Sequence, residues 1–353
     1  MNRNFFYQIV LGTALAVTSL TGCSKDDEDK PPVIPTEYIY VLNSGNWGSN
    51  DASLTMYNMQ DNTVTTDFFQ KQNGRRLGDI GQDIIIYGSK MYISMSEELT
   101  IEVTDLEAKS LKQIKTESNP RYFAVHEGKV YVTYLNGYVA RIDTATLTVD
   151  AKVKVGRNPE QLTVVNRRLY VANSGGFDFA SEAGYDNTVS VVDIASFTEL
   201  KKITVVINPS EVESDERGNV YVISKGNYGD IPNTLQKINT ATDEVTVMSG
   251  IDGTFFTTAG NTLYSVYSQW GMDRIYYYSY DAAKGVVVSD NFIGNTPVTN
   301  PYQINYDAAC EHLFITASDY MNNGDVYIFD KNNRFVRKFE TGLNPMKAVY
   351  VKK

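Results

Sequence analysis

The chain has two cysteines, two histidines and two tryptophans in 353 residues, and each scarcity excludes something. Cys23 is assigned below to a lipid, which leaves Cys310 as the only other thiol, so no internal disulfide is possible. His126 and His312 both fall in short polar turns that lead into aromatic strands. A Ser/His/Asp or Cys/His site needs its base at a ligand-bearing mouth, so such chemistry is not expected from turn residues of this kind. Positive charge is also in deficit: 32 Lys and Arg stand against 42 Asp and Glu, a formal net charge of −10. An acidic surface disfavours nucleic acid and an extended lie on anionic lipid. Long apolar runs are missing except at the start, where FFYQIVLGTALAVTSL is too short and too early for a comfortable membrane span.

That start reads as an export signal over residues 1–22. Arg3 supplies the basic end, and Leu20-Thr21-Gly22 places small residues directly before Cys23. This is the bacterial lipoprotein pattern, in which the Cys23 thiol takes a diacylglycerol and becomes the new N-terminus. Residues 23–35 then read as a lipidated tether. Asp26-Asp27-Glu28-Asp29 cannot bury itself, and Pro31, Pro32 and Pro35 favour an extended chain. Ser24 fits outer-membrane sorting. The acidic run resembles the surface-export signal of lipoproteins displayed by Gram-negative gut anaerobes, and a solvated periplasmic spacer is the alternative. The expected location is the outer membrane, facing the exterior, with membrane contact only through the anchor.

What the chain has in abundance is one aromatic strand, repeated. YIYVLNS, KMYISMS, KVYVTYL, RLYVANS, NVYVISK, TLYSVYS and HLFITAS centre on Tyr40, Tyr92, Tyr131, Tyr170, Tyr221, Tyr264 and Phe314, spaced 52, 39, 39, 51, 43 and 50 residues apart. Strands recurring every 40–50 residues are the mark of a β-propeller with one blade per repeat. An inner strand precedes each anchor, and five of these begin with Asn-Pro, which suits a strand start because proline lacks the N–H a ladder needs. An alternating third strand and a polar outer strand complete the blade. The fold class is therefore all-β: a seven-bladed propeller over residues 36–353 with four-stranded antiparallel blades. The C-terminal strand NPMKAVYVKK is expected to pair into the first blade and close the ring, which removes the open edge.

The repeat also sorts the loops onto two faces. Turns between inner and second strands are tight and polar, and they carry both histidines. The opposite face carries LNSGNWGSNDAS (42–53), NSGGFDFASEAGYDN (173–187), SKGNYGDIPN (224–233), SQWGMDR (268–274) and SDYMNNGD (318–325), with QKQNGRRLGDIGQ (70–82) and GNTPVTNP (294–301) between blades. Trp47, Trp270, Phe177, Phe179, Tyr185, Tyr228, Tyr320, Met272 and Met321 lie in this set, and Tyr302 directly follows its last segment. Large aromatics among Asn, Ser and Gly are the composition of a recognition surface, although any single one is as well explained by loop packing. The residues after Asn-Pro and their equivalents (Gln82, Arg121, Glu160, Ser210, Thr254, Tyr302 and Met346) are expected to ring the channel mouth. One carboxylate among seven is not a divalent-metal cage. Asp230, Asp273 and Asp325 match no calcium loop. Two tryptophans are too few for a quinone-cofactor propeller, and no sialidase Asp-box is present. No catalytic residue, metal or cofactor is expected.

The segment LYVANSGG…NTVSVVDIAS (169–196) resembles the repeat of YncE-like, surface-layer-type propellers, with FDFASEAGYD (177–186) inserted where their loop is short. LNSGNWGSNDASLTMYN (42–58), NGRRLGDIGQDIII (73–86) and NNGDVYIFDKNNRFVRKFETGLNP (322–345) resemble surface lipoprotein propellers of gut anaerobes, among them the BtuG-type lipoproteins. That resemblance implies capture of cobalamin (vitamin B12) or a related corrinoid, as cargo rather than cofactor, and its transfer to a BtuB-type TonB-dependent transporter. A corrinoid presents a broad ring edged with amides and one phosphate-bearing loop. Trp47, Trp270, Tyr185, Tyr228, Asn46, Asn50 and Asn227 offer flat surface and neutral hydrogen bonds. Phe177, Phe179, Met272, Tyr302 and Tyr320 add apolar area, and Arg75 and Arg76 are the cations that would meet the phosphate. With both histidines on the other face, no histidine–cobalt bond is expected. A propeller that binds a glycan or a partner protein fits the same composition, and a hydrolase or lyase with an unrecognised site is a third reading.

Overall fold

The computed structural model describes residues 36–269 and 271–353; the expected signal, Cys23, the tether and Trp270 lie outside the described residues. Residues 36–353 form seven four-stranded antiparallel sheets. Six blades run inner to outer in chain order. Their inner strands are Gly81–Tyr87, Pro120–His126, Pro159–Val165, Pro209–Ser214, Phe255–Ala259 and Pro301–Asp307, for blades 2 to 7. Blade 1 takes its inner strand, Pro345–Lys352, from the C-terminus, paired antiparallel to Glu37–Asn43 as the ring-closure argument expects.

The anchors show why the repeat exists. Second strands such as Lys129–Tyr134 are buried on both faces, because each blade is covered by a neighbour on either side. The described core divides into seven apolar clusters, one at each blade junction. Tyr40 packs against Met91, Ile93 and Met95 of blade 2, Tyr131 against Leu162, Leu169 and Val171 of blade 4, and Phe314 closes the circle against Ile39 and Val41. Each anchor thus fills the wedge toward the next blade. Burying a ring of this size contributes roughly 1.5–3 kcal/mol. Where the hydroxyl finds a partner it crosses the same junction or caps a turn: Tyr40 donates to the Leu106 carbonyl (3.0 Å), and Tyr221 to Asp215 (2.9 Å). Outer strands face solvent and alternate accordingly, as in Thr148–Lys154.

Two local features departed from simple alternation. The interblade stretch 70–82 overlaps a short helix, Phe68–Asn73, ended by Gly74 at φ 67°, whose N–H donates to the Gln70 carbonyl (2.8 Å). Phe69 on this helix is buried in the junction between blades 1 and 2, where the outer strand of blade 1 shrinks to Val64–Thr65. More consequentially, six of the seven inner strands carry a register shift within the first residues after their opening, for example between Pro120 and Phe123 and between Pro209 and Glu211. A bulge of this kind breaks the two-residue period and re-aims the side chains beside it. Asn158, Asn208, Asn300 and Asn344 precede the opening proline with φ between 44° and 61°, a left-handed conformation that asparagine tolerates better than most residues.

Candidate binding site

Inner strands have one edge facing the channel, so their N–H groups need partners from elsewhere. The neighbouring blade supplies them. Asp83 accepts from Phe123 N–H (2.9 Å), Gln161 from Val212 (3.1 Å), Glu211 from Phe256 (3.1 Å), Thr257 from Tyr306 (3.2 Å) and Asn305 from Ala348 (3.2 Å). The two remaining junctions are bridged by ion pairs, Lys347–Asp83 at 2.8 Å and Arg121–Glu160 at 2.7 Å. Every blade junction is therefore stitched around the channel. The channel holds more carboxylates than the one among seven that the residues after Asn-Pro suggest. The bulge turns Glu211 as well as Ser210, and Tyr122 as well as Arg121, toward the opening.

The cleft at the loop-bearing mouth has a volume of about 580 Å³. Its floor is charged but internally neutralised. Arg121 gives two hydrogen bonds to one Glu160 oxygen (3.0 and 2.7 Å) and a third to Gln82 (2.6 Å). Lys225 pairs with Glu211 at 3.2 Å, also donates to the Thr254 carbonyl, and lies 5.1 Å from the centre of the Phe255 ring. Burial pushes the Glu160 and Glu211 carboxyls up, against the pull of Arg121 and Lys225 respectively. Above this floor stand aromatic side chains. Phe177 is exposed and lies 5.6 Å from the Arg121 guanidinium. Phe179 and Tyr185 stack at 5.7 Å with planes 15° apart, and Tyr228 projects with 75 % of its surface open.

Among the residues singled out from the sequence, Phe177, Phe179, Tyr185, Asn227 and Tyr228 line this cleft together. Asn227 acts mainly on its own loop, accepting from Gly229 and Ile231 N–H (3.0 Å each) and donating to Asp230 (2.8 Å). Asn46, Trp47 and Asn50 sit in the blade 1 loop. Asn46 accepts from Asn344 (3.1 Å), the Asn50 carbonyl accepts from Arg76 (2.9 Å), and Trp47 is left 78 % exposed. Arg75 is ion-paired with fully buried Glu102 at 2.8 Å and stacks on Phe69. Tyr302 and Tyr320 form an edge-to-face pair at 5.5 Å on blade 7, and Met272 is half-buried on blade 6. Asn344 ties the blade 1 and blade 7 loops, since its Oδ1 also accepts from Ser318 (2.7 Å). His126 ends the inner strand of blade 3 and His312 opens the second strand of blade 7, both on the face of the short turns.

Tyr122, Glu211, Lys225, Phe255 and Gln303 line the cleft without having been singled out. Lys225 carried a signal: it stands where five of the seven anchor strands end in serine, at Ser44, Ser96, Ser174, Ser268 and Ser318. The others depended on the bulge. Among the described residues, no group of three or more His, Cys, Asp or Glu is placed to hold a metal ion, and no helix is long and apolar enough to cross a membrane.

A family model described as a domain of unknown function (DUF5074) matches residues 37–341. No curated protein matches the chain. Among solved structures, a 6-phosphogluconolactonase-like protein from Bacteroides uniformis aligns with a TM-score of 0.64 at 12 % identity, over 90 % of this chain and 99 % of the other. AztD from Citrobacter koseri aligns at 0.54 and 9 % identity, over 91 % and 99 %. Hydrazine synthase from Kuenenia stuttgartiensis aligns at 0.57 and 18 % identity, over 73 % and 85 %. At these identities the likeness is one of fold.

Proposed function

The chain belongs to the DUF5074 family, and from its stitched ring and aromatic mouth we propose that it is a non-catalytic capture protein. Its cargo in this reading is cobalamin or a related corrinoid, held at the outer surface of the cell and passed to a TonB-dependent transporter of the BtuB type. The observation that carries the reading is the shelf of Phe177, Phe179, Tyr185 and Tyr228 over a floor whose charges cancel in pairs. Several large rings left open around one cleft gain most when a flat ligand covers them. A neutral floor rich in donors and acceptors suits the amide-edged rim of a corrin, and its two carboxylates, Glu160 and Glu211, are each ion-paired. The carboxylates there are committed to holding blades together, which favours binding over hydrolysis. A glycan is the second reading, because stacked aromatics beside paired polar groups serve sugars equally well.

Isothermal titration of the propeller with cyanocobalamin tests this. Saturable binding in the micromolar range or tighter is expected, weakened at least about tenfold by Phe179→Ala or Tyr228→Ala, each of which removes an aromatic face. Absence of binding at micromolar concentrations, together with a positive glycan-array signal, transfers the site to the second reading. A transporter from the same gene neighbourhood that co-purifies with the loaded protein would support the transfer step.

A further inference from the structure

Next to the mouth, a second depression of about 690 Å³ runs between blades 3 and 4 on the same face, and Phe177 is common to both. Its lining differs in kind. Lys154, Arg157 and Lys202 face it, against two carboxylates, Asp178 and Asp186. Asp186 is already satisfied by the Arg157 and Asn187 N–H groups (3.0 and 2.7 Å) and the Thr188 hydroxyl (2.7 Å). Asp178 stands 3.7 Å from Arg157 Nη1, too far for a hydrogen bond, and that buried nitrogen has no hydrogen-bond partner among the described residues. Lys154 has no ion-pair partner there either, and Lys202 meets only Glu199, three residues away at an exposed site. Part of the floor is bare backbone at Gly137 and Gly156. A Cβ at Gly156 would come within 2.4 Å of the buried Asn173 side chain, so close packing beneath the floor requires glycine there.

We propose that this groove is an oxyanion subsite that receives a phosphate-type arm of the ligand while the ligand's flat body lies on the mouth aromatics. The assignment deepens the capture reading and, in its corrinoid form, rests on it. In a chain of net charge −10, a groove lined by three cations and two carboxylates is the local exception. The arginines that the sequence offered for this task are otherwise engaged, Arg75 with Glu102 and Arg76 with the Asn50 carbonyl. Arg157 is held at the groove wall by the Ala183 carbonyl (3.3 Å) and by looser ion pairs with Asp178 (3.7 Å) and Asp186 (4.0 Å), with one buried donor unmatched. A guanidinium fixed in this way, with the ammonium groups of two exposed outer-strand lysines near it, is a combination that recognises a phosphate by both geometry and charge.

The test has two arms. In the first, inorganic phosphate is titrated into the purified full chain labelled with ¹⁵N-glycine. The Gly137 and Gly156 amides are expected to shift saturably, and the shifts to be lost in Lys154→Gln/Lys202→Gln, whose changes lie on exposed outer-strand positions. No shift in the parent protein, or equal shifts in both, overturns the subsite whatever the cargo is. In the second arm, cyanocobalamin is compared with the same corrin ring lacking its phosphate-bearing nucleotide arm. The double variant is expected to weaken the first at least about tenfold and the second little, with the difference shrinking in high salt. Equal losses for both corrinoids overturn the link between groove and arm. Failure of the parent to bind either corrinoid overturns the capture reading, while the phosphate arm still decides the groove.

Discussion

Two equivalent tyrosines should respond oppositely to the same substitution. Tyr92 and Tyr221 occupy the same position in blades 2 and 5, and both are fully buried. Burial pushes the Tyr92 hydroxyl up to about 12, and it raises Tyr221 further with help from the Asp215 carboxylate, so both are protonated donors at neutral pH. The Tyr221 hydroxyl donates to Asp215 at 2.9 Å, and Asp215 also takes Asn219 through its side chain (2.8 Å) and backbone (2.9 Å) and the Arg217 N–H (3.0 Å). The Tyr92 hydroxyl has no partner among the described residues. Tyr221→Phe removes a charge-assisted bond from a buried acceptor, a loss of roughly 1.5–3 kcal/mol, whereas Tyr92→Phe removes an unmatched polar atom and should be neutral or stabilising by up to about 1 kcal/mol. Urea unfolding, followed by tyrosine fluorescence and far-ultraviolet circular dichroism, measures both as shifts in midpoint at constant slope. Coincidence of the two signals checks that one transition is being compared. Two variants that agree within about 0.5 kcal/mol, the usual spread of inconsequential changes, would refute the argument that the ring supports the junction and that the hydroxyl matters only where it is paired.

Three further outcomes are expected. Glu213 is raised to about 7, chiefly by burial, against hydrogen bonds from Thr257 and Thr258. The folded state then binds more protons than the unfolded one between the ordinary 4.5 and about 7, so stability falls as pH rises through that window; Glu213→Gln should flatten the slope and gain on the order of 3 kcal/mol at pH 8 in denaturant titrations. Arg121→Gln leaves Glu160 buried without its cation and should lower stability by about 3–5 kcal/mol, most of which the double change with Glu160→Gln restores. Truncation before Pro345 strips the inner strand from blade 1 and exposes Glu37–Asn43 as an edge; insoluble or unfolded protein is expected, while removal of Lys353 alone, which loses one backbone hydrogen bond to Thr36 and an ion pair with Glu107, should leave the protein folded with only a small drop in midpoint.

The number of blades, their strand order, the ring closure and the two-faced distribution of loops were all readable from the sequence. The reason is local: a second strand buried on both sides needs an aromatic or aliphatic run wherever it sits, so Tyr40 through Phe314 recur at blade spacing. The crowding of Phe177, Phe179, Tyr185 and Tyr228 on one face followed from the same periodicity. Which of those side chains meet was decided only by the tertiary structure. The ring angle separates Trp47 on blade 1 from the mouth cleft of blades 3 to 7, and Tyr302, at the head of the blade 7 inner strand, turns to pair with Tyr320 while its neighbour Gln303 lines the cleft. The bulge at the head of the inner strands brings Glu211 and Tyr122 to the opening, against the alternation that a regular strand would impose. Arg75 and Arg76 look free in a loop sequence, yet their partners, Glu102 and the Asn50 carbonyl, lie 27 and 26 residues away. Periodicity is a property of neighbours along the chain, whereas a binding site is assembled from neighbours across the ring, and that second relation exists only once the blades have packed.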